Sequence, residues 1–151
     1  MIRKTREKES AVISRVYDIG ALKTYKYVVV LSTMGGKILL SRHKQRTTWE
    51  TQGGHVEQGE TPCEAAEREL FEESGALRYD IRPVCDYWAG DEVTGEGATG
   101  MVFHAEIYEL GDMPESEMAE TRLFDALPDN LTYPAITPEL FAFLFRAWAE
   151  R

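Results

Sequence analysis

The sequence has few cysteines, few cations and no long apolar run, and each shortage excludes a class of protein. Two cysteines, Cys63 and Cys85, stand among 151 residues, too few for a disulfide-stabilised secreted domain, so we expect two reduced thiols in the core. No window offers the ~18 uncharged apolar residues of a membrane-spanning helix. The stretch from Met1 to Ser10 alternates charges and lacks the apolar segment of a secretory signal, so we expect a cytoplasmic protein.

Cations are outnumbered, since 17 Lys and Arg residues face 26 Asp and Glu residues and the net charge is -9. A protein whose main partner is a nucleic-acid polymer needs a basic face that displaces counterions, so we expect no such partner. The acidic balance suits a site that gathers cations. The length favours one domain over residues 1–151. We expect a monomer or a homodimer, and the sequence does not decide between them.

Short apolar runs separated by turn residues predict a mixed sheet with a helix on each side. A glycine pair, Gly35 and Gly36, favours a hairpin turn at 32–36, and Gly53 with Gly54 closes a short extended piece at 49–52. An amphipathic pattern predicts a last helix over 138–150. The predicted longer strands are 11–19, 25–31, 37–42, 81–89 and 101–110.

The helix with the clearest boundaries follows the second glycine pair. Thr61 is a suitable N-cap, Pro62 suits the first helical position, and Glu64 completes a Thr-x-x-Glu capping box. Gly75 provides the C-terminal stop. We therefore predict a helix of about 13 residues between Thr61 and Gly75.

Three glutamates on this helix, Glu69, Glu72 and Glu73, are spaced to lie on one face within a turn. A solvated acidic face is the common explanation of such a cluster. The opposite side is small and apolar, so we expect the glutamates to point away from the packing surface. That side consists of Cys63, Ala66, Leu70 and Ser74. Clustered carboxylates beside a glycine pair are also what Mg²⁺ or Mn²⁺ requires of a protein site.

A longer spaced pattern includes these glutamates. Its fixed positions are Gly54, Glu60, Arg68, Glu69, Leu70, Glu72, Glu73 and Gly75. In order and spacing they resemble the box of the Nudix hydrolase family, G-x5-E-x7-R-E-U-x-E-E-x-G-U, where U is a bulky aliphatic residue. One position departs from the pattern, because Ala76 stands at the last U. The resemblance implies a Nudix-type α/β/α sandwich, in which the box helix and the C-terminal helix lie on opposite sides of a mixed sheet.

The resemblance also implies a set of site residues. In the family the three glutamates bind Mg²⁺ or Mn²⁺ and a carbonyl of the glycine pair adds a ligand, so the expected metal ligands are Glu69, Glu72, Glu73 and Gly54. The residues matching Arg68 and Glu60 orient these ligands. A carboxylate from a later loop often serves as base, and the corresponding segment 113–127 contains Glu117, which we prefer, and Glu120. The expected substrate contacts are Arg42, Gly53 and Gly54.

The family hydrolyses nucleoside diphosphates linked to another group, and length and element order most resemble its MutT-like (8-oxo-dGTP diphosphatase) branch. That resemblance implies cleavage of a nucleoside triphosphate to monophosphate and pyrophosphate. Residues typical of ADP-ribose and dinucleoside polyphosphate hydrolases are absent, although both substrates stay open. Where an asparagine reads the oxidised base in the best-known members, this chain has Ala135 and Ile136. Trp49, Tyr87 and Trp88 are able to stack on a base, but we expect each to be core.

Two other classes compete with the hydrolase. A binding or sensor module would keep the fold without turnover, yet such proteins usually lose box glutamates, and all are present here. A metal-dependent isomerase on the same fold would need an additional Cys/Glu pair, for which Cys85 and Glu106 are the only candidates we find.

Overall fold

The computed structural model describes residues 12–150, which form eight strands and two helices: five strands, a helix, three more strands and a second helix. In chain order they are β1 (Val12–Tyr17), β2 (Tyr27–Met34), β3 (Lys37–His43), β4 (Trp49–Glu50), β5 (Gln52–His55), α1 (Pro62–Ser74), β6 (Ala76–Asp91), β7 (Gly97–Leu110), β8 (Met118–Phe124) and α2 (Thr137–Ala149). No helix among these residues is long and apolar enough to cross a membrane.

The strands form one sheet in the order β1-β6-β7-β2-β3-β4, to which β5 is added by pairing with β2 and β8 by pairing with β3. Strands β2 and β7 run parallel, from the pair Tyr27 and Gly100 to the pair Thr33 and Glu106, while the other strand pairs are antiparallel. The predicted mixed sheet is therefore confirmed.

Each helix covers a different face of the sheet. Side chains alternate along β2, so that Val28 and Val30 join the core under α1, whereas Leu31 joins the core under α2. Helix α1 contributes Ala65, Ala66 and Leu70 to the first core, and α2 contributes Leu140, Phe141 and Leu144 to the second. Burying a leucine side chain stabilises a fold by roughly 1.5–3 kcal/mol. The predicted α/β/α sandwich is confirmed.

Helix α1 has the ends that the sequence predicts. The Thr61 hydroxyl accepts a hydrogen bond from the Glu64 amide at 3.1 Å, and the Glu64 carboxylate accepts one from the Thr61 amide at 2.9 Å. Gly75 adopts φ 78° and donates its N–H to the Phe71 carbonyl. One prediction for this helix is wrong, because Cys63 is exposed at its first turn. Cys85 is buried as expected.

The strand predictions miss polar residues that lie in strands. Strand β2 begins at Tyr27 and continues to Met34, so the turn predicted for 32–36 shrinks to Gly35 and Gly36. Ser32 and Thr33 stay in the strand because partners satisfy their buried hydroxyls: Ser32 donates to Gln52, and Thr33 bonds to His104.

Strands β5 and β8 lie where we predicted a closing turn and a loop. Strand β5 pairs Gly53 and Gly54 with Val29 and Val28 of β2, which an extended glycine backbone permits. Strand β8 pairs along β3 and has little alternation, since Leu123 is exposed. Strands β6 and β7 also begin earlier than predicted, at Ala76 and Gly97.

A buried acid holds the connection between β1 and β2. Asp86 of β6 is fully buried, and its Oδ2 atom accepts hydrogen bonds from the Leu22 amide at 2.9 Å and the Tyr25 hydroxyl at 2.7 Å. The pKa of Tyr25 rises to about 12 because of burial and then this bond to Asp86. Within residues 12–150 the Oδ1 atom has no hydrogen-bond partner. The acid therefore fixes the residues immediately before Tyr27.

Candidate active site

Arg68 ties helix α1 to the loop that precedes it. Its Nε and one terminal nitrogen donate to the two oxygens of Glu60 at 2.7 and 2.9 Å, and its other terminal nitrogen donates to Glu69 at 2.7 Å. The same guanidinium reaches the His55 carbonyl at 3.1 Å. The Arg68 bond, followed by a bond from the Glu57 amide, lowers the pKa of Glu60 to about 2. A planar fork of donors is needed for this geometry.

Glu73 lies buried against strand β5. The residue is 8% exposed, and its Oε1 atom accepts a hydrogen bond from the Gly53 amide at 2.8 Å. Burial raises the pKa of Glu73 to about 8, the Gly53 bond opposes that rise, and the charges of Glu69, Glu50 and Glu117 add to it. Several carboxylates therefore act on one buried acid with little counter-charge.

The two glycines of β5 permit this close approach. A Cβ atom on Gly53, whose φ is 154°, would lie 2.3 Å from the Val28 carbonyl oxygen. A Cβ atom on Gly54 would lie 2.7 Å from a carboxylate oxygen of Glu69. Only glycine leaves room for the strand between β2 and the acidic face of the helix.

The acidic face is therefore not directed away from the packing surface, as we had predicted. Glu73 is buried, and the Glu69 side chain is only 13% exposed, whereas Glu72 is 47% exposed. Burial raises the pKa of Glu69, although the bond from Arg68 partly opposes the rise. The helix pattern alone does not reveal this burial, because the glutamates are covered by the glycine backbone of β5, which has no side chains there.

A cavity of about 440 Å³ opens beside Glu73. Its polar end contains three carboxylates, from Glu50, Glu73 and Glu117, together with the Arg46 guanidinium and the backbone of Gly53 and Gly54. The rest of the lining is mostly aromatic and apolar, and we call this group of residues the tyrosine end. That end contains Tyr27, Val29, Tyr87, Ala89, Ala98, Tyr133, Ile136 and Leu140.

The structure separates Glu117 from Glu120. Glu117 precedes β8 at the cavity rim with its side chain 80% exposed, and its carboxylate lies 3.8 Å from the ring nitrogen Nε2 of His43. Glu120 lies outside the lining of the cavity and accepts a hydrogen bond from Nε of Arg42 at 2.9 Å. The geometry therefore favours Glu117 of the two carboxylates that the sequence suggested.

Arg42 and Arg46 are likewise separated. Arg42 is held by Glu120 and does not line the cavity, whereas Arg46 lines it and donates to Glu50 at 2.9 Å. Glu50 is 7% exposed and also accepts a hydrogen bond from the Thr132 hydroxyl. Sequence reasoning overlooked Arg46 and Glu50, for which their i, i+4 spacing was the one available signal.

Two further lining residues, Tyr27 and Tyr133, were also overlooked, because nothing near them in the sequence marks them. Tyr87 is 6% exposed and belongs to the core under α2, as predicted, but it also lines the cavity. Trp49 is core as expected. Trp88 is only half-buried and stacks against Arg15.

The oxygen atoms of this site are of the type that binds a divalent cation. Among the residues that the structure describes, no three His, Cys, Asp or Glu side chains are grouped closely enough to hold a metal ion as they stand. Glu69 is turned to Arg68, and Glu73 to the Gly53 amide. The available donors are nevertheless all oxygen, which hard cations prefer, and the raised pKa values of Glu69 and Glu73 reflect buried negative charge that a cation would neutralise.

A family model described as NUDIX domain matches residues 23–135, more than half of the chain. The chain therefore belongs to the NUDIX family. Among proteins of similar sequence is YtkD of Bacillus subtilis (strain 168), whose name assigns it provisionally to the 8-oxo-dGTP diphosphatases. It is 35% identical over 112 residues, which cover 71% of this chain and 66% of YtkD.

An RNA pyrophosphohydrolase of Francisella philomiragia is 36% identical over 56 residues, which cover 37% of this chain and 36% of that protein. The matched part thus spans between about a third and two thirds of the length of these relatives. Among solved structures, a mutant of the Bacillus subtilis pyrophosphohydrolase BsRppH superposes with a TM-score of 0.75 at 27% identity, over 90% of each chain.

Proposed function

We propose that this protein hydrolyses a nucleoside triphosphate to the monophosphate and pyrophosphate, with Mg²⁺ or Mn²⁺ as cofactor. The observation that carries the proposal is the buried carboxylate of Glu73 in the wall of a cavity of about 440 Å³, which also receives Glu117 and Arg46. In the reaction, water attacks phosphorus, the bridging P–O bond breaks, and pyrophosphate leaves. Names of relatives such as YtkD and BsRppH support cleavage of this kind of bond.

The residues divide the work by position. Glu69, Glu72 and Glu73, with the Gly54 carbonyl, would hold the cation, which when bound neutralises phosphate charge and makes a water molecule more acidic. Arg68 orients Glu69. Arg46 is the only Lys or Arg side chain that the described part of the chain presents to the cavity, so we assign it the phosphate contact first expected of Arg42. Glu117 at the rim accepts the proton of the attacking water.

The test is a release assay for pyrophosphate and phosphate with Mg²⁺ and Mn²⁺. We expect Glu73→Gln to lower kcat by at least about 100-fold, which corresponds to roughly 2.7 kcal/mol. Glu67→Gln is the matched control, because Glu67 is exposed on the same helix and bonds to the Tyr79 hydroxyl. A Glu73→Gln rate within tenfold of wild type would contradict the assignment.

A second candidate substrate is the 5′-triphosphate end of RNA, favoured by the RNA pyrophosphohydrolases among the relatives. The assay therefore includes a triphosphorylated RNA, ADP-ribose and a dinucleoside polyphosphate beside the nucleoside triphosphates. The substrate with the highest kcat/KM defines the activity. A ligand-dependent rise in melting temperature without release of pyrophosphate or phosphate from any substrate would instead favour a binding module.

A further inference from the structure

Part of the cavity lining is an apolar patch, which we call the floor. Ala89 of β6 and Ala98 of β7 are directly paired across the two strands, and both side chains line the cavity. Ile136 and Leu140 close it from the side of helix α2. Two methyl groups side by side leave room for a planar group to lie against the sheet.

Three tyrosines from separate parts of the chain line the same cavity as this floor. Tyr27 comes from β2, Tyr87 from β6, and Tyr133 from the segment before α2, and all three line the same cavity. Burial first, and then the charges of Tyr27 and Tyr133, raise the pKa of Tyr87. Burial also raises the pKa of Tyr133, to which Glu50, Glu73 and Tyr27 add. The three residues line one cavity, and we name them the tyrosine cluster.

None of the three hydroxyls bonds to any residue in the described range 12–150, although other tyrosines there, such as Tyr25 and Tyr79, have partners. Tyr87 is the notable case, because the residue is only 6% exposed. Its ring occupies the space that the absent side chain of Gly100 leaves, where a Cβ atom would lie 2.2 Å from the ring. Within residues 12–150 the Tyr87 hydroxyl is not among the fully buried atoms that lack a partner, so it reaches open space at the cavity wall, where a ligand or water can bond to it.

Side chains that read base edges strongly are few in this lining, and the one arginine, Arg46, already donates to Glu50. Asn, Gln and Arg side chains read base edges by paired hydrogen bonds worth roughly 1–3 kcal/mol each. The one amide side chain in the lining is Gln52, and it is already bonded to Ser32 and Ser41. A hydroxyl, in contrast, rotates and either donates or accepts, so it pairs with any base edge or with a sugar hydroxyl.

We propose that the tyrosine cluster binds the nucleoside part of the substrate and tolerates every base. This inference rests on the proposed function. It implies that the enzyme recognises its substrate by the triphosphate, which binds at the polar end. Aromatic rings and an apolar floor attract any base through its face, whichever hydrogen-bonding groups lie at its edge. The oxidised guanine of 8-oxo-dGTP is then one accepted base among several.

The experiment measures kcat/KM for dATP, dGTP, dCTP, dTTP and 8-oxo-dGTP. We expect all five values to lie within about tenfold, a spread of roughly 1.4 kcal/mol. Tyr87→Phe should raise KM by about 3- to 10-fold for every base, in keeping with one lost hydrogen bond, and change kcat less. Tyr79→Phe is the control on the same strand, because its hydroxyl bonds to Glu67 outside the cavity; it should leave both constants unchanged.

A preference above tenfold for one base, or an unchanged KM in Tyr87→Phe, would overturn the inference. Calorimetric titration with the α,β-methylene triphosphates of adenosine, guanosine, cytidine and uridine separates it from the proposed function. If no substrate is cleaved but these analogues bind with Kd values within tenfold, and more weakly to Tyr87→Phe, the hydrolase proposal fails and the nucleoside site stands. Absence of binding by all four analogues would reject the nucleoside site.

Discussion

The polar end and the tyrosine end of the cavity differ in how their side chains are held. At the polar end, Glu73 is bonded to the Gly53 amide and Arg46 is bonded to Glu50. Nearby, Arg68 fixes both Glu60 and Glu69. At the tyrosine end, the hydroxyls of Tyr27, Tyr87 and Tyr133 have no hydrogen-bond partner among residues 12–150. Most charged side chains at the polar end are hydrogen-bonded within the protein, whereas the tyrosine hydroxyls have hydrogen bonds to offer to a ligand.

This difference matches the tasks that we propose for the two ends. Chemistry on a phosphate requires charged groups in defined positions, and hydrogen bonds limit the positions that these carboxylates take. Acceptance of several bases requires groups whose donors and acceptors are free to rotate. The contrast therefore predicts that damage to the polar end lowers turnover, while damage to the tyrosine end weakens binding.

The largest expected effect is at Gly53, where one residue serves both ends. Its amide bonds to Glu73, and its backbone pairs with Val29, two residues from Tyr27. Gly53→Ala would place Cβ 2.3 Å from a backbone oxygen at φ 154°. We expect the free energy of unfolding in urea to fall by about 3 kcal/mol or more, together with loss of turnover and of nucleotide binding.

Gly59→Ala is the control for Gly53→Ala. Gly59 also has a positive φ, 85°, but a Cβ atom there meets nothing within 4 Å. Its loss of stability should stay at about 1–2 kcal/mol, the cost of the left-handed conformation alone. Equal losses in the two variants would mean that the close approach of β5 to β2 is not required.

A smaller effect, confined to the polar end, is expected for Arg68→Lys. Lysine keeps the charge but has no fork, so it cannot bond to Glu60, Glu69 and the His55 carbonyl together. We expect kcat to fall by about 10- to 100-fold, while the Kd of an α,β-methylene triphosphate changes by less than about threefold. Arg78→Lys, at an exposed arginine 3.9 Å from Glu109, should change neither. A Kd that rises by the same factor as kcat falls would contradict the proposal that the polar end acts mainly on turnover.

The smallest effect concerns acid stability. The charged form of Glu60 is favoured in the folded protein, where its pKa is about 2 instead of 4.5. Its contribution is therefore complete above pH 4.5 and is lost as the pH falls towards 2. Glu60→Gln should lower Tm by a constant amount near neutral pH, and the difference from wild type should narrow below pH 4.5. A difference that is independent of pH down to 2 would show that the Arg68 bond adds no stability.

Much of the polar end could be predicted from the sequence because it is local. Glu69, Glu72 and Glu73 follow one another on a helix whose ends are marked by Thr61 and Gly75, and the spacing of the box is fixed. The burial of Glu73 could not be predicted, since it depends on how closely β5 approaches, and that is a property of two strands and a helix together. The end of β2 was not predicted for the same reason. Its residues Ser32 and Thr33 are polar, and their hydrogen-bond partners, Gln52 and His104, lie far away in the chain.

The tyrosine end could not be predicted because its members are far apart in the chain. Tyr27, Tyr87 and Tyr133 belong to separate segments, and each alone is ordinary for a strand or a loop. Arg46 and Arg42 are equivalent candidates in sequence, four residues apart. Only the pairing of β8 with β3, which brings Glu120 to Arg42, separates their surroundings.

The position of Tyr27 in the cavity wall depends on the buried acid Asp86, which does not line the cavity itself. It grips the Leu22 amide and the Tyr25 hydroxyl, and Tyr27 follows two residues later. A screen of random variants for altered base preference would therefore recover changes at Asp86 and Tyr25 as well as in the cavity wall. The proposed nucleoside site therefore depends on this anchor as well as on its own wall, and transplanting the tyrosines alone into another scaffold would not transfer it.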